Sequence, residues 1–202
     1  SLGFLTEVDK NEIDKAAKCL MEGRYEIEER MMLKVCMKGK NGEYKEDAAL
    51  NDVVISRGAV SRIVHLNTYV NDSFIDSFPA DGLIISSPTG STAYSLSAGG
   101  PIVEPNMNLM IISPICPHIL YSRSIIVTED SVIKVVIAEK SGYEAMVTVD
   151  GQKGYDVGHG DIIEVRKSDF KVKMICIKRH NFFNVLRNKI YERGESLKRN
   201  EI

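Results

Sequence analysis

Between positions 81 and 101 the sequence reads Asp-Gly-Leu-Ile-Ile-Ser-Ser-Pro-Thr-Gly-Ser-Thr-Ala-Tyr-Ser-Leu-Ser-Ala-Gly-Gly-Pro, a concentration of small polar residues around one aromatic. An apolar strand at 83–85 runs into a polar turn at 86–91, and a short helix is predicted from near Thr92 to Gly99-Gly100. Strand, tight turn and helix start together leave several backbone N–H groups unpaired and pointing one way, which suits an anionic ligand. Thr89, Gly90, Ser91, Ala93 and Ser97 are small enough for a ligand to approach the backbone, and Tyr94 offers a ring that can stack on a base. Such a cradle suits a nucleotide. An ordinary strand-to-helix turn capped by Ser and Thr fits the same residues equally well. A P-loop does not, since no Gly-Lys-Ser/Thr follows.

Other chemistries find little support. Cys19, Cys36, Cys116 and Cys176 are scattered with no CxxC pair, which argues against a zinc site or a disulfide framework. His65, His118, His159 and His180 show no i,i+4 pairing, so a histidine metal site is not expected. Lys and Arg number 26 against 28 Asp and Glu, a net charge of -2 that gives no general affinity for nucleic acid or an anionic membrane. No apolar run approaches the roughly 18–20 residues of a membrane span. The chain opens on Ser1-Leu2-Gly3-Phe4, already apolar, with no targeting signal. With reduced cysteines, that predicts a cytoplasmic setting.

The elements that must position the 81–101 stretch are mainly strands. Asp9-Lys10-Asn11-Glu12 reads as a helix start, Ile13, Ala16, Ala17, Leu20 and Met21 as one apolar face belonging to the core, and Gly23 as the stop. From 25 onward the texture alternates. Strands are predicted at 31–37, 53–55, 63–70, 74–78, 82–85, 110–112, 125–127, 132–137, 146–149, 162–165 and 172–177. Turns are expected at Lys40-Asn41-Gly42, Asn71-Asp72, Pro79-Ala80-Asp81-Gly82 and Gly158-His159-Gly160-Asp161. Many short strands with few intervening helices point to an all-β sandwich rather than a doubly wound α/β sheet. A last helix is predicted near Asn181, with Phe182, Phe183, Leu186 and Ile190 on or near one face. The expected division is a strand-helix segment at 1–23, a β-sandwich at 24–180, and a closing helix and tail at 181–202.

The 81–101 segment resembles the T-G-S-T-A-Y-x-x-S-A-G-G-P signature of the NAD kinase family. The resemblance runs along the whole chain: Leu2-Gly3-Phe4-Leu5-Thr6, Ala49-Leu50-Asn51-Asp52, Asp81-Gly82-Leu83, Ser113-Pro114 through Pro117-His118, Asp150-Gly151-Gln152, and Asn181-Phe182-Phe183 to Leu186 follow the family's motifs in order. It implies a mainly β fold, the family's C-terminal β-sandwich, with an N-terminal strand-helix remnant of an α/β domain and a C-terminal helix. It implies NAD binding, with Asn51 on adenine or its ribose and Asp52 accepting from ribose hydroxyls. Thr92 and Ser97 would meet the adenine edge, Ala93, Ser95 and Leu96 would line the pocket, and Tyr94 would stack. Asp81 would reach the nicotinamide ribose or carboxamide, with a turn-forming Asp-Gly as its plain alternative. Arg62 would meet a phosphate, with an exposed strand Arg as its equal alternative, and Gln152 would lie close to the dinucleotide or simply form a turn. Phe4 would pack on the ligand or equally in a strand core, and His118 would border a subunit contact near the nicotinamide.

The family also carries a Gly-Gly-Asp-Gly motif in an N-terminal α/β domain, and these 202 residues contain none. The expectation is therefore the C-terminal portion of an ATP- or polyphosphate-dependent NAD kinase. It would bind NAD or NADP without catalysing alone, and no catalytic residue is assigned to it. Donor phosphate and Mg²⁺ or another divalent cation would come with the other domain, and the complete protein would be a homo-oligomer. Two rival readings are a non-catalytic NAD(P)-sensing or oligomerisation module, and a lipid kinase domain of related plan.

Overall fold

The computed structural model describes residues 8, 10–58, 63–119, 121–138, 145–177 and 182–187. The 2–6 motif, Asp9, Arg62 and Asn181 lie outside them. Two six-stranded sheets dominate. One orders β2 (Tyr44–Ala49), β1 (Glu26–Lys38), β12 (Ile162–Cys176), β9 (Ile133–Ile137), β4 (Val64–Val70) and β5 (Ser73–Ala80). The other orders β11 (Lys153–Val157), β10 (Ala145–Val149), β3 (Asp52–Arg57), β6 (Gly82–Ser86), β7 (Leu109–Ile115) and β8 (Ile125–Thr128).

The period-2 alternation builds the core. Leu33, Val35, Leu66, Val135 and Ile163 from the first sheet join Val53, Ile55, Leu83, Ile85, Ile112 and Val147 from the second in one buried cluster. Each such side chain contributes about 1.5–3 kcal/mol by leaving water. The fold is thus a β-sandwich, as the alternation predicts. β6, like its neighbours β3 and β7, is buried on both faces: Ile84 is as fully covered as Leu83 and Ile85. Its outer face lies under a 3-10 turn (Thr89–Thr92) and a one-turn helix, α2 (Tyr94–Ser97). This cover is what makes Leu83-Ile84-Ile85 an unbroken apolar run instead of an alternating one.

The structure corrects several sequence expectations. β2 and β11 were not expected as strands, because Tyr44-Lys45-Glu46-Asp47 and Lys153-Gly154-Tyr155-Asp156 carry mostly polar side chains. Both lie at sheet edges, where charge discourages pairing with other chains. The stretches 162–165 and 172–177, expected as two strands, belong to the single strand β12. Its Arg166-Lys167-Ser168-Asp169 centre is polar, and hydrophobic pattern reports burial rather than backbone pairing.

The described residues fall into two compact units, one within Arg30–Val172 and one within Ser1–Glu29 and Lys173–Ile202. In the second unit a 3-10 turn (Lys10–Glu12) leads into α1 (Ile13–Met21), which ends at Gly23 with φ 66°. Its apolar stripe, expected in the core, is largely open: Ile13 is 61% and Met21 82% exposed, and Cys19 is the residue that α1 buries. An apolar stripe shows that a helix is amphipathic, not which surface it meets. The Cys176 thiol donates to Glu28 at 3.3 Å, and residues 182–187 are helical.

Candidate functional site

β6 delivers the chain into residues 87–100. Pro88 opens the 3-10 turn, Ala93 breaks it at φ -96°, ψ -129°, and Gly99 ends α2 at φ 83°. The segment was expected to present several unpaired N–H groups, and the structure corrects this. Ser87 N–H donates to the Asn51 carbonyl at 2.9 Å, Gly90 N–H to Ser87 Oγ at 3.2 Å, Ser91 N–H to Pro88 O at 3.2 Å and Ala93 N–H to Gly90 O at 2.9 Å. Tyr94 N–H donates to the carboxylate of Asp52. A helix of one turn also starts later and ends sooner than the expected helix, because Ala93 interrupts it. Five of the segment's N–H groups are thus taken up by the fold itself.

Its side chains divide by direction. Tyr94 is 48% exposed, Ser97 is exposed, and Thr92, Ala93 and Leu96 are half-buried. Thr92 Oγ1 donates to Thr89 O at 3.4 Å. Ser95 turns inward: its hydroxyl meets Ser113 Oγ at 3.4 Å, and Ser113 continues to Ser124 at 2.9 Å. Ser91 Oγ both donates to Val103 O and accepts from Val103 N–H, pinning the return of the loop.

Asn51 and Asp52 form the corner between β2 and β3, directly beside this surface. Ser87 Oγ donates to Leu50 O at 2.5 Å, and Gly90 packs on the Asn51 backbone. Asp52 is 5% exposed. Burial above all, and then the nearby Asp150 charge, push its carboxyl from 3.8 up to about 6, against the opposing pull of the Tyr94 N–H. The turn between β10 and β11 reaches the same corner. Asp150 and Gly151 take φ 49° and 65°, and Gln152 N–H closes the turn on Val149 O at 3.0 Å. The Asp150 carboxylate accepts from the N–H groups of Leu50 at 2.8 Å, Asn51 at 2.7 Å and Asp52 at 3.1 Å. Gln152 itself is exposed at the turn.

At the other end of β6 stands Asp81, whose carboxylate takes a 2.9 Å bond from Arg57 Nε. Backbone bonds Arg57 N–H to Asp81 O and Asp81 N–H to Ile115 O, both 3.0 Å, fix this second cluster. The register pairs Asp52 with Ser86 and Ser56 with Gly82, so Arg57 of the second cluster stands five residues from Asp52 along β3. At about 3.4 Å per residue that is roughly 17 Å. His118 is exposed, and its N–H donates to Pro79 O at 2.8 Å.

The structure thus brings Asn51, Asp52 and the Thr92–Ser97 surface together, with Gln152 on the adjoining turn and Asp81 at the far end. Sequence reasoning passed over Arg57 and Asp150. Arg57 reads as one more strand cation, and Asp150 as one more Asp-Gly turn. The Asp-Gly pair was a legible signal for the turn but not for what the carboxylate touches.

Comparison with known proteins identifies the family. Residues 50–177 match the ATP-NAD kinase C-terminal domain family. An NAD kinase of Acetivibrio thermocellus is 61% identical over 197 residues, 98% of this chain and 68% of that protein. An NAD kinase of Ruminiclostridium cellulolyticum is 49% identical over 195 residues, 96% of this chain and 68% of that protein. Among solved structures, yeast NADH kinase complexed with NADH superposes with a TM-score of 0.83 at 30% identity, covering 94% of this chain. This chain spans 55% of the length of that yeast chain. An NAD kinase from Archaeoglobus fulgidus in complex with ATP gives a TM-score of 0.74 at 26% identity, over 94% of this chain and 70% of that one.

Proposed function

The chain belongs to the ATP-NAD kinase C-terminal domain family, and on that premise we propose that it holds NAD and presents the 2′-hydroxyl of the adenosine ribose for phosphorylation to NADP. The observation that carries this reading is the meeting of Asn51 and Asp52 with the Tyr94 segment, fastened by the Tyr94 N–H on the Asp52 carboxylate. Asn51 has an amide suited to an adenine edge or ribose. Asp52 keeps acceptor capacity beyond the Tyr94 bond, and a carboxylate is a strong acceptor for a vicinal diol. Tyr94, half exposed, offers its ring face to the base. Thr92, Ala93, Ser95, Leu96 and Ser97 shape the wall on which the adenosine half rests, Ser95 from beneath through Ser113.

The spacing supports a ligand with two polar halves. The Asp81–Arg57 pair, roughly 17 Å along β3 from the Asp52 corner, would take the nicotinamide ribose or carboxamide. Gln152 and Arg62 would border the dinucleotide between them.

In this reading the chain contributes binding and orientation, which are most of what phosphoryl transfer asks of a protein. ATP or polyphosphate would be the donor in the complete enzyme. A divalent cation belongs to the family's chemistry, but among the described residues no group of three or more His, Cys, Asp or Glu could hold one. The 202 residues carry no Gly-Gly-Asp-Gly, and the reading includes that this chain alone binds without turnover. A cytoplasmic homo-oligomer is part of the same proposal, testable by sedimentation with and without NAD. Among the described residues no helix is long and apolar enough to cross a membrane.

Isothermal titration of the chain with NAD, NADP and ATP tests the core of the proposal. Saturable one-site binding of NAD or NADP is expected. Binding of neither dinucleotide would overturn the reading, and NADP formation by the chain alone would overturn the division of labour.

A further inference from the structure

The corner between β2 and β3 leaves the regular ladder at Leu50, and the N–H groups of residues 50–52 point away from their own strands. One side chain collects all three. Asp150 Oδ2 accepts from Leu50 at 2.8 Å, and Oδ1 accepts from Asn51 at 2.7 Å and Asp52 at 3.1 Å. The backbone returns the bond, with Asp150 N–H donating to Asp52 O at 3.0 Å. The contacts bridge about a hundred positions of sequence, as the Leu50–Asp150 separation of 100 states. The positive φ of 49° at Asp150 turns its carboxylate under the corner, and Asp is among the non-glycine residues that adopt this conformation most readily.

The hairpin that carries Asp150 is itself anchored from the corner's own strand. Asp47, on β2, accepts from the Tyr155 hydroxyl at 2.7 Å and from Lys153 Nζ at 3.0 Å, both on β11. Two carboxylates therefore work in opposite directions. Asp47 reaches from β2 to the hairpin, and Asp150 reaches from the hairpin to residues 50–52.

We propose that Asp150 is a positioning residue for the dinucleotide site: by gripping the three N–H groups of residues 50–52 it sets the angle at which Asn51 and Asp52 meet the ligand. This rests on the reading of Asn51 and Asp52 as ligand contacts. A neutral side chain at 150 cannot reproduce the grip. Alanine removes every acceptor, and asparagine keeps one oxygen, enough for Asn51 and Asp52 but not for Leu50. The negative charge also has a consequence of its own, since Asp150 stands close enough to Asp52 to favour its protonated form. The groups that face the Asp52 carboxyl are the Asp150 carboxylate from the β10–β11 turn and the Tyr94 N–H from α2.

The test compares the whole 202-residue chain with Asp150→Asn and Asp150→Ala, using amide hydrogen exchange and NAD titration from pH 5 to 8. Exchange at Leu50, Asn51 and Asp52 should rise about tenfold or more in Asp150→Ala, with the amides of Val54 and Val147 unchanged. NAD should bind about tenfold more weakly to Asp150→Ala and less so to Asp150→Asn. In Asp150→Asn the acid-side loss of affinity should move to lower pH, a shift that a brace without influence on the ligand would not give. Unchanged exchange at the three amides overturns the proposal. So does faster exchange with NAD affinity and its pH profile unaltered. If the wild-type chain binds no NAD, the functional reading fails on that count, and the exchange measurement still decides whether Asp150 holds the corner.

Discussion

The Asn51 carbonyl oxygen lies so close over Gly90 that a Cβ at residue 90 would stand 2.0 Å from it. The obstacle is backbone, fixed further by the Ser87 N–H bond to the same carbonyl, so it cannot swing aside. Gly90→Ala must push the 3-10 turn away from the corner. We expect a loss of about 2 kcal/mol or more in urea unfolding, and at least tenfold weaker NAD binding by calorimetry.

Asp52 makes the site pH-dependent in an unusual sense. Its folded carboxyl lies at about 6 against an ordinary 3.8, raised by burial and by Asp150. A raised carboxyl contributes stability that is fully present below about pH 4 and is lost as pH rises through 6. At pH 7 the ionised, buried group therefore costs on the order of 3 kcal/mol. Asp52→Asn should melt higher than the parent at pH 7, with the difference fading toward pH 4, while NAD binds more weakly. A variant that melts lower at pH 7 would contradict this assignment.

Asp47 behaves the other way. Burial pushes its carboxyl up, but the Tyr155 hydroxyl, the Ala48 N–H and Lys153 together hold it below the ordinary range. Its stability contribution is present above about pH 4 and disappears as pH falls through its lowered value. Asp47→Asn should cost about 1 kcal/mol at pH 7, and the cost should vanish in strong acid. Denaturant titrations at pH 7 and pH 2.5 separate this from the Asp52 effect by sign.

Arg57 and Asp81 are each more than a third exposed, so their 2.9 Å pair contributes little to the fold. Arg57→Gln should change stability by less than about 1 kcal/mol. NAD affinity should nonetheless fall about threefold, and its salt dependence should weaken. Equal affinity in 50 and 500 mM salt for both proteins would remove Arg57 from the binding surface.

How much of this was legible in the sequence depended on what kind of contact held each part. The sandwich core could be read because burial on one face imposes alternation, as in Leu33, Val35 and Met37. The edges could not, because Tyr44-Lys45-Glu46 and Lys153-Gly154-Tyr155 pair through their backbones while most of their side chains, Tyr155 excepted, are exposed. The 81–101 segment was recognisable from its residue types, yet the fate of its N–H groups was not. Ser87 and Tyr94 bond to Asn51 and Asp52, residues more than thirty positions away. Asp150 was hidden for the same reason, since nothing local to Asp-Gly-Gln reveals a partner a hundred positions upstream.

That long reach has a kinetic meaning. The corner at residue 50, the turn at 90 and the hairpin tip at 150 become neighbours only after β3 has acquired both β6 and β10 as partners. Closing such loops is the slow, entropically opposed part of assembling a sheet. A chain still emerging from synthesis therefore lacks the finished corner until residue 150 is in place. If NAD binds as proposed, each bound molecule would from then on draw the population toward the finished sandwich by mass action. Ligand concentration in the cell would then act as a chaperone for the last step of folding.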